Sequence, residues 1–205
     1  MKFRRLATAA AALTLVGSIA IASPAMADDG PTMTDILESQ GDGTDRNWYD
    51  FDILAAGVSA AGLSDALDNP DADLTVFAPN DRAFQALVAD LYGWRFWFAD
   101  EARILDKLVE LETSAPGTLE TVILYHAVPG QIDSATALSV PRGTALTTLQ
   151  GGDIKVYPYP RFRTAQLVDN DPNDVNPFLV KSKLDIQASN GIIHGISFVL
   201  RPVDL

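Results

Sequence analysis

The chain has 205 residues, with 27 acidic and 15 basic side chains, 2 histidines and no cysteine. That length sets a ceiling of one or two domains, and the missing cysteines exclude disulfide staples, thiolate chemistry and a cysteine-linked lipid anchor. The acidic balance works against nucleic acid and anionic lipid as partners, because phosphate groups would be repelled.

Residues 1–27 read as a bacterial-type export signal peptide. Lys2, Arg4 and Arg5 give a positive start, residues 6–22 are uncharged and mostly apolar, and Ala25-Met26-Ala27 fits a small-x-small cleavage site before Asp28-Asp29. A retained membrane anchor is the rival reading, but the stretch is short and poor in bulky residues. Cleavage leaves residues 28–205 as one domain with 12 basic and 27 acidic residues, a formal charge of −15. The expectation is a secreted, extracellular acidic protein with a real core and no membrane span after cleavage.

Thr32 is placed to cap a first helix carrying Ile36 and Leu37, and residues 41–47 form a polar loop. Asp50 caps a second helix, where Phe51, Leu54, Ala55 and Val58 recur at helical spacing and Gly62 ends the run. Residues 64–67 make one more turn, stopped by Asn69-Pro70. Residues 74–77 read as a strand closed by Pro79. Asn80 or Asp81 then caps a helix with Ala83, Phe84, Leu87, Val88 and Leu91 on one face. Tyr92, Trp94, Phe96, Trp97 and Phe98 crowd the next stretch, before a helix over residues 100–112. After Pro116-Gly117, Thr118 caps a helix reaching about His126, ended by Pro129-Gly130.

Beyond this point the period becomes two. Residues 144–149 and 153–157 flank Gly151-Gly152, residues 164–168 and 178–180 are weaker strands, and residues 183–188 alternate. Asn190-Gly191 is the strongest hairpin signal, with residues 192–200 as the partner strand. Helices first and strands later predict an α+β class rather than an alternating parallel sheet.

Three blocks carry a family resemblance. They are Leu74-Thr75-Val76-Phe77-Ala78-Pro79-Asn80-Asp81-Arg82-Ala83-Phe84, Ile123-Leu124-Tyr125-His126-Ala127-Val128-Pro129-Gly130 and Asn190-Gly191-Ile192-Ile193-His194-Gly195-Ile196. In this order, with Thr147 to Leu149 and Gly151-Gly152 between the last two, they resemble the fasciclin domain family over about residues 31–203. The resemblance implies a β-wedge of two sheets with helices packed around it, extracellular placement, and a role in adhesion or matrix contact. It implies partner contact near Tyr125 and His126, which animal members link to integrins, and apolar ligands such as carotenoids in some members. It implies no shared catalytic site. An insertion over about residues 92–116, and Gly195 and Ser197 at usually apolar positions, depart from the family pattern.

His126 falls on the stripe of Leu119, Val122 and Ile123, and His194 shares strand parity with Ile192 and Ile196. Both are therefore expected inside, hydrogen-bonded and structural, together with Thr75, Asp81, Asn190 and Gly191. Asp81, Thr75 or nearby backbone are the candidate partners of His126. No G-x-S-x-G elbow and no H-x₃-H spacing occur, so no catalytic residue, metal site or cofactor is assigned. Asp169, Asp171 and Asn173 imitate the start of a calcium loop, but Asp174 and Val180 stand where Gly and Glu are required, which favours a solvated turn. Tyr92, Trp94, Phe96, Trp97 and Phe98 either fill the space under the inserted helix, the preferred reading, or face a partner.

The function expected is a non-enzymatic adhesion or matrix-binding module whose partner is a cell-surface or matrix protein or a polysaccharide. The alternative is a carrier of a lipid-like or carotenoid-like small molecule held by the insertion aromatics.

Overall fold

The structure is a computed structural model in which residues 30–40 and 43–204 are described. The export signal expected over residues 1–27 lies outside them. Among the described residues no helix is long and apolar enough to cross a membrane.

Helix α1 (Met33–Glu38) opens on Thr32, which accepts from the Asp35 amide while the Asp35 carboxylate accepts from the Thr32 amide. Helices α2 (Asp52–Ala60) and α3 (Ser64–Leu67) follow, then strand β1 (Leu74–Pro79) and helix α4 (Asp81–Tyr92). A 3-10 turn, Trp94–Phe98, separates α4 from α5 (Glu101–Ser114), and α6 (Thr118–Tyr125) leads directly into β2 (Ala127–Pro129). The remaining elements are α7 (Ser134–Ser139), β3 (Thr144–Thr147), β4 (Asp153–Tyr159), β5 (Thr164–Val168), β6 (Ile186–Ala188) and β7 (Gly191–Ile196).

The strands form two sheets, ordered β2-β1-β7-β6 and β3-β4-β5. Strands β1 and β7 run parallel, and every other pairing is antiparallel. The α+β wedge of two sheets expected from the sequence is therefore present. One apolar core, with Met33, Phe51, Phe96, Ile104 and Ile193, lies between the helices and the first sheet. A second, with Phe77, Tyr125, Ile154, Val156, Leu167 and Ile196, fills the gap between the sheets. Strand β4 reaches it with alternate residues Ile154, Val156 and Pro158, as the two-residue period requires.

Several local expectations are corrected. Asp50 does not cap α2; Phe51 occupies that position, and the Asp81 carboxylate, across the core, accepts from the Ile53 amide at 2.9 Å. Thr118 does not cap α6 either. Gly117 stands there at φ +87°, and Glu112 of α5 accepts from the amides of Gly117 and Leu119 at 2.6 and 2.8 Å. Strand β2 and helix α7 carried too little pattern to be read. The alternation over residues 183–188 becomes strand only from Ile186, because Asp185 turns the chain at φ +55°. The last hairpin turns on Ser189-Asn190, and Gly191 already pairs with Ala188 as a strand residue.

Candidate functional site

The motif residues meet inside the protein. Thr75 is buried; its hydroxyl donates to the Gly130 carbonyl at 2.6 Å and accepts from the Ile132 amide at 2.8 Å. Asn190 accepts from Met33 and donates to the carbonyls of Leu67 and Asn69, tying the hairpin to α1 and α3. Asn80 caps α4 through the Ala83 amide, whereas Asp81 serves α2.

Among the described residues both histidines are buried and make their hydrogen bonds with backbone groups, with the Asp185 carboxylate 4.0 Å from His194 Nδ1. His126 donates from Nδ1 to Val122 O at 2.7 Å and accepts at Nε2 from the Leu200 amide at 2.9 Å. His194 donates from Nε2 to Ile132 O at 2.8 Å and accepts at Nδ1 from the Asp185 amide at 3.2 Å. The backbone, not Asp81 or Thr75, partners His126.

Tyr125 has no exposed surface, and its hydroxyl donates to Asp153 O at 2.7 Å. Burial pushes that hydroxyl above the usual phenol range. The expectation of a partner-facing Tyr125-His126 pair is therefore corrected: neither ring reaches the surface of the folded chain.

The aromatic insertion divides. Phe96 is 2% exposed and sits in the helical core, with Tyr92 partly buried beside it, their rings edge-to-face at 6.1 Å. Trp94, Trp97 and Phe98 are 75%, 40% and 81% exposed. The preferred filling role thus describes Phe96 and Tyr92, while the other three rings stand on the surface. Gly93 at φ +106° lets the chain leave α4 sharply. Gln85 of α4 then donates to the carbonyls of Trp97 and Ala99 at 3.3 and 3.1 Å, pinning the turn. The Arg82 guanidinium lies 4.8 Å from the Trp97 ring centre, and Trp94 meets Phe98 edge-on at 6.0 Å.

Beside this turn lies a cleft of about 260 Å³. Trp94 and Trp97 line it, and so do Asp90, Asn173, Asp174 and Arg201. Arg201 is nearly buried and pairs with Asp90 at 2.9 Å, Asp171 at 3.5 Å and Asp174 at 3.5 Å. Its amide donates to Asp169 at 2.8 Å, while Asp169 and Asp171 accept from the amides of Asp171 and Asn173. The turn is therefore only partly the solvated one expected: Asn170, Pro172 and Asn173 are exposed, but Asp171 is buried, and the loop's carboxylates are turned onto Arg201 and backbone amides. Burial, reinforced by Asp169, pushes the Asp174 carboxyl up to about 7, against the opposing pull of Arg201. Arg201 escaped sequence reasoning; its one signal is a charged residue following an apolar strand end.

Carboxylates gather at a second place. Asp45, Asp52 and Glu101 bring oxygens within 4.8 Å of one another, and so do Asp50, Asp52 and Asp81. Burial, and next the Asp50 carboxyl beside it, push Asp81 up to about 9. Oxygen-only donors of this kind suit a hard cation and are the only groups among the described residues that place three ligands together.

The chain matches the Fasciclin domain over residues 49–202. It is 32% identical over 192 residues to Protein sll1483 of Synechocystis sp., spanning 89% of this chain and 80% of that protein. It is 29% identical over 152 residues to the transforming growth factor-beta-induced protein ig-h3 of Sus scrofa, spanning 74% of this chain but 18% of that protein. Among solved structures it resembles a FAS1 domain pair from the insect cell adhesion molecule Fasciclin I. The TM-score is 0.56 at 16% identity, over 83% of this chain and 51% of that one. At that identity the likeness speaks for the fold alone.

Proposed function

Because this chain belongs to the fasciclin domain family, we propose that it is a non-catalytic binding module of the adhesion type that holds a surface polysaccharide. The general adhesion role follows from membership of the fasciclin domain family. The finer reading rests on one observation: Trp94 and Trp97 share a cleft of about 260 Å³ with Asp90, Asn173, Asp174 and Arg201. Sugar rings offer C–H faces that stack on indole planes, and paired hydroxyls that suit carboxylate, amide and guanidinium groups. A lipid tail in the same cleft would leave those polar groups dry. Both imidazoles are spent on backbone bonds, which leaves neither as an exposed base. Export directed by residues 1–27 and a single domain over residues 28–205 complete the proposal.

The carrier reading would use the same exposed rings. The apolar pocket lined by Leu54, Phe84, Leu108 and Val122 has a volume of only about 30 Å³, which is no room for a lipid or pigment.

Affinity electrophoresis through gels containing a neutral β-glucan, a mannan or an acidic uronan tests the proposal. Retardation by one class, lost in Trp94→Ala and Trp97→Ala with melting unchanged, is expected. Free migration in all three, or lipid or pigment co-purifying with the chain, overturns it.

A further inference from the structure

We propose that Asp45, Asp52 and Glu101 bind one calcium ion beneath the aromatic turn. Asp52 is the first residue of α2 and Glu101 the first of α5, while Asp45 lies on the exposed loop before α2. Their nearest oxygens all fall within 4.8 Å of one another. Calcium holds oxygens at about 2.3–2.6 Å, so ligands on opposite sides of the ion stand about 5 Å apart, and the triad already has that span.

Acidic residues at helix starts are common, because a carboxylate there caps free amides and meets the positive end of the dipole. That explanation fails for Glu101. Its side chain has no exposed surface, and neither carboxylate oxygen makes a hydrogen bond of ordinary geometry, although the Asp45 amide faces it. The helix is capped instead by Asp100, which accepts from the Arg103 amide at 3.0 Å. Asp50, directly behind, is 1% exposed and faces the Asp81 carboxyl rather than a basic side chain. Among the described residues no lysine or arginine pairs with Asp45, Asp50, Asp81 or Glu101. A buried, unpaired carboxylate is costly, and a cation is the group that would satisfy it.

The donor set selects the ion. Hard carboxylate oxygens without imidazole or thiolate argue against zinc. Magnesium retains most of its water, which suits an exposed site better than one built on the buried Asp52 and Glu101. Three carboxylates, bidentate where needed, supply up to six oxygens, and the exposed Asp45 leaves a side open for water and for entry. The ion would join the loop before α2 to the start of α5. That joint sits directly after the segment that Gln85 pins, so calcium would also hold the exposed tryptophans in place.

The test is titration of the chelator-stripped full chain with calcium chloride near neutral pH, by calorimetry and by thermal melting. One ion per chain and a melting temperature that climbs with calcium concentration are expected. Glu101→Gln should abolish both. Should that variant fail to fold, Asp45→Asn, altered at an exposed position, should weaken binding about tenfold or more. Absence of heat and of any melting shift would overturn the site. So would unchanged binding in both variants, or an equal melting rise in sodium chloride of matched ionic strength.

Discussion

The Nε2 atom of His126 accepts the amide proton of Leu200 at 2.9 Å, joining the end of α6 to the chain beyond β7. With Nδ1 donating to Val122 O at 2.7 Å, the ring ties α6 to a backbone amide 74 residues beyond His126. His126→Ala leaves a buried amide and a buried carbonyl without partners and opens a cavity. The expected cost is about 3 kcal/mol or more, from about 1–3 kcal/mol per unpaired group plus lost packing. Urea unfolding measures it, and a midpoint within error of the parent would remove His126 from the list of structural residues.

The same ring has a defined pH signature. Burial holds its imidazole down at about 4, from an ordinary value of 6.5, with only the Val122 carbonyl pulling the other way. As pH falls, the unfolded chain takes up this proton before the folded one does. The contribution is therefore present above about 6.5 and is lost as pH drops through the window to about 4, by roughly 3 kcal/mol in all. The stability gap between the parent and His126→Gln should shrink steadily across that window. A gap independent of pH would mean the ring is not held neutral.

The insertion should separate packing from binding. Phe96→Ala removes a ring that is 2% exposed and should cost about 3–5 kcal/mol. Trp94→Ala and Phe98→Ala remove rings that are 75% and 81% exposed and should cost less than about 1 kcal/mol. Melting all three variants side by side checks this. A large loss in Trp94→Ala would make that ring part of the core and deprive the cleft of its proposed role.

What the sequence disclosed depended on how local each feature was. The start of α4 at Asn80 or Asp81, strand β1 and the Phe84–Leu87 face of α4 use neighbours within a turn, and all were readable. The caps supplied by Asp81 to α2 and by Glu112 to α6 come from other helices, so a search for a capping residue beside each helix named Asp50 and Thr118 instead. Tyr125 adjoins a buried stripe without belonging to it. It is buried because α6 is enclosed on two sides, with Leu119 and Val122 in the helical core and Tyr125 between the sheets. Arg201 and the Asp174 loop converge only through tertiary folding, and no spacing announces them.

Gly191 illustrates a constraint written into a motif for steric reasons. A Cβ there would overlap the Leu74 carbonyl oxygen of the neighbouring parallel strand and the methyl of Met33. The Leu74 carbonyl is backbone and does not yield, although the end of the Met33 side chain can shift. Gly191→Ala should cost about 3 kcal/mol or more, at the top of the range for overpacking. Gly130→Ala is the comparison, because at φ +87° it meets nothing within 4 Å and carries only the backbone penalty of about 1–2 kcal/mol. Equal melting shifts in the two variants would mean that β1 and β7 are not packed as closely as described.

Asp174 should make the cleft wall sensitive to mild changes of pH. Its carboxyl is pushed up to about 7 from 3.8, by burial first and then by Asp169, even though Arg201 is 3.5 Å away. Because the folded state holds this proton more tightly than the unfolded one, its contribution is full below about 3.8 and disappears as pH rises through about 7. Above that point an ionised carboxylate sits in a poorly solvated wall next to other acids. Asp174→Asn keeps the shape and removes the charge, so the variant should melt higher than the parent at mildly alkaline pH. Its advantage should fade as the solution is acidified toward pH 5, where the parent is already protonated at this site. An advantage that persists undiminished in acid would assign the effect to the amide's own contacts, and a variant less stable than the parent at alkaline pH would mean that the Arg201 pairing outweighs the desolvation of Asp174.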